Sequence, residues 1–295
     1  MIKASMSKID SRDAKLVMAH FYVAFIALFI GGFAGLLQVL VRTGKVELPF
    51  GIDYYQVLTV HGVLLGLILT TFFIIGFQFA AVSKTAGTLS DKLRATGWIG
   101  FILMTAGTAM AAAMVLLKEA SVLFTFYAPL QAHPIFYIGL TLVVVGSWCA
   151  SGSMLTQYVK WRKANPGQNS PLLTYMVVIN TLLWVIASIG VAATVLGQLL
   201  PWSLGLVDTV DVLISRTLFW YFGHPLVYFW LLPAYMCWYV VIPKVLNTPI
   251  FSDSLARMSF ILFLIFSVPV GFHHQLLEPG IDPAWKFLQV ILTFL

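Results

Sequence analysis

The chain has 295 residues, of which 60% are hydrophobic and only 9% charged, with a mean hydropathy of +0.93. A soluble globular domain carries about 25% charged residues, so too few charges remain here to cover a water-exposed surface, and a soluble enzyme is excluded. The formal net charge of +6 does not point to nucleic acid, because the basic residues sit in short loops between apolar runs, where they control topology.

A bilayer-crossing helix needs about 20 mostly apolar residues. Seven stretches meet that length: roughly 18–40, 55–82, 95–117, 132–158, 172–200, 215–242 and 257–277. An eighth apolar run starts near Trp285 and stops at Leu295. The expected architecture is therefore all-α: one polytopic transmembrane helix bundle over residues 1–295, with seven complete spans and the start of an eighth. The chain reads as the N-terminal portion of a longer polypeptide. It begins Met1-Ile2-Lys3 and has no small-residue cleavage site after its first apolar run, so no removable signal peptide is expected. The N-terminus and the even-numbered connections hold Lys3, Lys8, Arg12, Lys15, Lys84, Lys92, Arg94, Lys160, Arg162, Lys163, Lys244 and Arg257. The other side holds Arg42, Lys45, Lys118, Arg216 and Lys286. That bias predicts a cytoplasmic N-terminus. Cys149 and Cys237 both lie in apolar runs and imply packing, not a disulfide framework.

The topology sorts the six histidines by depth. His61 and His224 fall roughly 10–13 Å below the outer starts of the second and sixth spans at 1.5 Å per residue. His273 and His274 come just before the outer end of the seventh. Imidazole is a common metal ligand, and polar side chains at membrane depth are rare. Four histidines at similar depth therefore favour a metal site over scattered buried histidines bonded to carbonyls. His20 and His133 are expected at the membrane interfaces. Neighbours on a regular helix point about 100° apart, which opposes joint ligation by His273 and His274. Pro269 removes a backbone donor four residues earlier, so a loosened helix end there lets the rings converge.

The sixth span carries Trp220-Tyr221-Phe222-Gly223-His224-Pro225-Leu226-Val227-Tyr228. At 100° per residue Tyr228, Tyr235 and Tyr239 fall about 40°, 20° and 60° from His224, so one face runs from a candidate ligand towards the cytoplasm with three phenols along it. A phenol both donates and accepts. Spacing alone leaves a proton path and simple packing both open.

Gly223-His224-Pro225-Leu226-Val227-Tyr228 resembles the sixth-helix signature of the haem-copper oxygen reductases. Val270-Gly271-Phe272-His273-His274 resembles their seventh-helix copper pair, and Thr59-Val60-His61-Gly62 their second-helix haem ligand. The resemblance implies that His224, His273 and His274 bind copper, that Tyr228 is covalently linked to His224 and supplies an electron and a proton to oxygen, and that His61 is one axial ligand of a low-spin haem. A second, high-spin haem binds oxygen in this family. It reduces oxygen to water with electrons from cytochrome c or quinol and pumps protons. Many members place Glu after the His-Pro of the motif, where this chain has Leu226. That is similar to the B-type subfamily, whose single proton path through the sixth-helix tyrosines maps onto Tyr228, Tyr235 and Tyr239, with Thr293 on the eighth span. The implied donor is cytochrome c, acting through a copper-bearing subunit II. Family members have further spans carrying a His-x-His pair of haem ligands, so this chain alone holds too few ligands for a working enzyme.

Other readings fit less well. A quinol-oxidising member of the same family remains an alternative. A nitric oxide reductase lacks the tyrosine one turn after the histidine and places glutamates near its iron, whereas Tyr228 is present and no carboxylate lies in the sixth or seventh span before Glu278. A proton-coupled secondary transporter is expected to show repeated halves, and no repeat is found.

Overall fold

A computed structural model describes residues 9–294; Lys3 and Lys8, counted above in the charge bias, lie outside them. Seven helices are long and apolar enough to cross a membrane: α1 (Ser11–Arg42), α2 (Tyr54–Thr85), α3 (Asp91–Leu116), α4 (Pro134–Ala164), α5 (Leu172–Ser203), α6 (Val212–Val245) and α7 (Asp253–Gln275). A shorter α8 (Pro283–Phe294) follows. All seven expected spans are present, and among the described residues there is no strand.

Local chemistry sets where the helices begin. The Asp10 and Asp53 carboxylates accept from the backbone N–H groups of Arg12 (2.8 Å) and Gln56 (2.6 Å) at the starts of α1 and α2. Asp211 and Ser252 do the same for Ile214 (2.9 Å) and Leu255 (3.2 Å) at α6 and α7. His133 caps α4, its Nδ1 accepting from the Ile135 N–H at 3.2 Å, with Pro134 following in the first turn. The exposed His133 thus stands at a helix end as expected. Because α1 starts at Ser11 and not near residue 18, His20 sits a further two turns into the helix. The interfacial expectation for His20 is therefore corrected. Its ring is fully buried among Phe72, Phe79 and Phe101, with Nδ1 donating to the Leu16 carbonyl at 2.8 Å.

The most extensive contacts are α3 with α4, α5 with α6, and α1 with α2. The first pair touches backbone to backbone. A Cβ at Gly100 would stand 2.5 Å from the Gly146 carbonyl oxygen, and one at Gly139 would stand 2.6 Å from that of Gly107. Small residues are what bring membrane helices this close. At the face where the chain starts, Asp13 is 1% exposed and accepts from Arg94 Nε (2.7 Å), Ser83 Oγ (2.7 Å) and the Leu89 N–H (3.0 Å). One carboxylate thereby ties α1 to α2, to the connection after it and to α3. Removing one member of a buried pair strands the other, at a cost of roughly 3–5 kcal/mol. Asp13→Ala is accordingly expected to lower the thermal midpoint of the detergent-solubilised protein well below that of Asp10→Ala, whose partner Arg12 is exposed.

Candidate metal centre

The sixth helix is broken chemically at the site. Pro225, Pro233 and Pro243 lie inside α6, and each lacks the N–H that would bond the carbonyl four residues earlier. His224 points inward, 5% exposed. The α-helical part of α7 ends at Val270 and continues as a 3-10 turn over Gly271–Gln275, one residue after Pro269. The helix end is loosened where the sequence expected it, and His273 and His274 both turn towards α6. The three ring centroids lie 4.4 Å (His224–His273), 5.3 Å (His224–His274) and 4.6 Å (His273–His274) apart. One nitrogen from each ring falls within 4.8 Å of the others, a group able to hold a metal ion.

Hydrogen bonds choose the nitrogens. The Thr293 hydroxyl donates to the Gln289 carbonyl (2.7 Å), so its oxygen accepts from His273 Nδ1, 3.0 Å away, leaving Nε2 free to serve as a ligand. His224 Nδ1 faces His274 Nε2 at 3.1 Å. The opposite nitrogen of His224 meets the Tyr228 hydroxyl, also at 3.1 Å. Trp220 lies flat on His274, with centroids 3.7 Å apart and planes 7° from parallel, and so restricts that ring's tilt. The sequence pattern had no signal for this stack. It depends on a side chain one turn before His224 meeting a residue 54 positions later.

Above the triad, Arg216 pairs with Glu278 at 2.6 Å and lies over the Tyr127 ring, 5.0 Å from its centroid. Burial pushes the Tyr127 phenol well above its ordinary range, against the opposing pull of the Arg216 charge and a hydrogen bond with Trp220. This contact fastens the 276–282 connection over the site.

Towards the face where the chain starts, Tyr228 and Tyr235 both pack on Phe263 of α7, at 5.4 and 5.9 Å. Tyr235 and Tyr239 line one cleft of about 560 Å³, and Tyr228 and Thr293 line a second of about 310 Å³. Ser259 and Phe263 border both clefts. The three phenols thus share one side of α6, as their spacing required. Ser259, unmarked in the sequence reading, adds a hydroxyl between them.

His61 stands apart on α2. Its Nδ1 donates to the Gly31 carbonyl at 2.8 Å, which leaves Nε2 free as a ligand. A Cβ at Gly35 would fall 2.6 Å from His61 Cε1 and 2.7 Å from Nδ1. Gly35→Val is expected to swing the ring off Gly31 and, with His61 the haem ligand that the resemblance implies, to weaken that haem by about 10–100-fold. Loss of the low-spin haem band in the reduced spectrum of the variant would register it.

A triad of imidazoles beside a phenol, with a further histidine about two turns along the second helix, is the arrangement against which similarity becomes meaningful. Residues 15–295 match the family described as Cytochrome C and Quinol oxidase polypeptide I. The chain belongs to that family. Cytochrome c oxidase subunit 1 of Thermus thermophilus is 42% identical over 294 residues, covering 95% of this chain and 51% of the relative. The heme-copper oxidase subunit I+III of Aeropyrum pernix is 25% identical over 97% of this chain and 37% of its own. A heme-copper terminal oxidase dimer solved by cryo-EM superposes with a TM-score of 0.92 at 42% identity, covering 97% of this chain and 50% of that one. As a cytochrome c and quinol oxidase polypeptide I, the chain is an oxidase-subunit homologue, a membrane protein of a haem- and copper-binding family. It spans about half the length of the Thermus relative and of the chain in the cryo-EM structure.

Proposed function

We propose that this chain forms part of the catalytic subunit of a terminal respiratory oxidase in a prokaryotic plasma membrane. The enzyme reduces oxygen to water with electrons from cytochrome c, received through a copper-bearing subunit II, and translocates protons. The observation that carries the reading is the meeting of three imidazoles, one of them with a phenol 3.1 Å from its far nitrogen.

Three neutral nitrogen donors suit copper, and the residues present fit it: His224 through Nδ1, His273 and His274 through Nε2. Bound copper and the high-spin haem iron of the family supply the oxygen-binding and electron-donating chemistry. The protein's own groups do the rest. Trp220 and Thr293 hold two of the imidazoles in register. Tyr228 stands where its O–H can give a proton and an electron beside the metal, and its contact with His224 suits a covalent link between the two rings. Tyr239, Tyr235 and Tyr228 form the proton path from the face where the chain starts, which is the cytoplasmic face in this reading. Thr293, placed on that path by the resemblance, also serves as the anchor of His273. His61 is one axial ligand of the low-spin haem.

An optical difference spectrum of the reduced complete oxidase, with and without carbon monoxide, tests the proposal. A carbon monoxide shift beside an unresponsive low-spin band is expected. Absence of any haem absorbance would overturn the oxidase reading.

A further inference from the structure

Away from the metal centre, α2 and α5 run antiparallel and meet in polar layers one heptad apart. Thr85 faces Thr174, and Gln78 faces Thr181. The Thr85–Thr174 layer closes tightly at 2.6 Å. The next layer does not: the Thr181 hydroxyl lies 3.4 Å from Gln78 Oε1, beyond the usual range for O–H···O bonds. On α6, Pro233 has no N–H, so the Phe229 carbonyl four residues earlier loses its helical donor. Asn180 Nδ2, next to Thr181 on α5, donates to that carbonyl, again at a stretched 3.4 Å. Gln78 Nε2 and Asn180 Oδ1 are left without partners, although Gln78 is 1% and Asn180 0% exposed.

Two stretched contacts, one orphaned donor, one orphaned acceptor and a half-satisfied carbonyl therefore gather where three helices meet. Buried polar groups in proteins are almost always bonded, and a water needs two to four polar partners to be held internally. We infer that this junction is a binding site for an ordered internal water. It accepts from the Gln78 amide N–H and donates to Asn180 Oδ1 and the Phe229 carbonyl. The carbonyl can only accept, so the Asn180 amide turns its nitrogen towards α6, while the Gln78 amide has its oxygen towards the Thr181 hydroxyl. Those two assignments leave one donor and one acceptor free for the water.

The site lies at the one turn of α6 that falls between Tyr228 and Tyr235 and has lost its backbone bond. Asn180 and its water are positioning groups for that break. They fix how far the helix bends there, and with it the offset of the two phenols, a consequence that rests on the proton-path reading above.

The test uses the complete oxidase and reads the site directly. A cryo-EM map fine enough to show other buried waters is expected to contain a peak within hydrogen-bond distance of Gln78 Nε2, Asn180 Oδ1 and the Phe229 oxygen. Asn180→Leu and Gln78→Leu are each expected to lower the thermal midpoint by roughly 2–4 °C. The double variant should lose clearly less than their sum, because either change alone already expels the shared water. A map with the two amides bonded directly and no peak, or strictly additive losses, overturns the site. Neither readout depends on turnover, so failure of the oxidase reading and failure of this one are separable.

Discussion

Tyr228→Phe in the complete oxidase is expected to cut oxygen consumption on the order of 10²–10⁴-fold, while the low-spin haem spectrum stays unchanged. The substitution removes one oxygen atom and leaves the ring that packs on Phe263. His224 loses the hydroxyl beside its far nitrogen, and with it the link proposed between the two rings, but its Nδ1 still meets His274. Copper content is therefore expected to hold. His61 lies on a different helix and keeps its bond to Gly31. An oxygen electrode and an absorption spectrum on one sample decide the matter, and unaltered consumption would remove Tyr228 from the chemistry. Tyr239→Phe, far along the same face, should instead slow turnover without silencing it, since water can replace a phenol near the entrance.

The second large effect comes from a residue that binds nothing. A Cβ at Gly271 would stand 2.6 Å from the Trp220 carbonyl oxygen and 3.2 Å from His224 Cβ. The first of these is backbone and cannot rotate away, so Gly271→Val forces the 3-10 turn off α6. His273 and His274 leave with it, and the Trp220–His274 stack opens. Disturbing groups that orient metal ligands typically weakens binding by about 10–100-fold. Copper measured by plasma mass spectrometry should fall accordingly, with the low-spin band intact. Gly152→Ala is the matched control, since a Cβ there meets nothing within 4 Å. Equal copper in both variants would show that the close approach of α7 to α6 does not govern the site.

Hydropathy was enough to find every spanning helix, because lipid demands long apolar runs and these leave no ambiguity of period. It failed at helix ends. Ser11 to Lys15 is polar yet helical, held by the Asp10 cap and the Asp13 ion network, and missing that turn misplaced His20. The triad was legible because two motifs fell at similar depths and Pro269 supplied a reason for the helix to loosen. Its second layer was not. Trp220 on His274 and Gly35 under His61 are contacts between distant segments, invisible to any local pattern. The same holds for Asp13 with Arg94, which lie 81 positions apart. Thr293 shows the limit from the other side: its place on the eighth helix was expected, but its bond to His273 depends on how α8 folds back against α7.

The backbone contact between α3 and α4 bears on how the protein is made. Two helices whose glycines meet at van der Waals distance exclude lipid from their seam, and they follow one another along the chain. Such a hairpin associates as soon as both segments have left the translocation machinery, early in synthesis. The histidines of α6 and α7 emerge later, on helices that pack chiefly against α5 and not against the hairpin. In the proposed oxidase copper would then be loaded after the α3–α4 hairpin has formed, and a loading defect should yield a folded, metal-poor subunit that persists in the membrane rather than one cleared as misfolded.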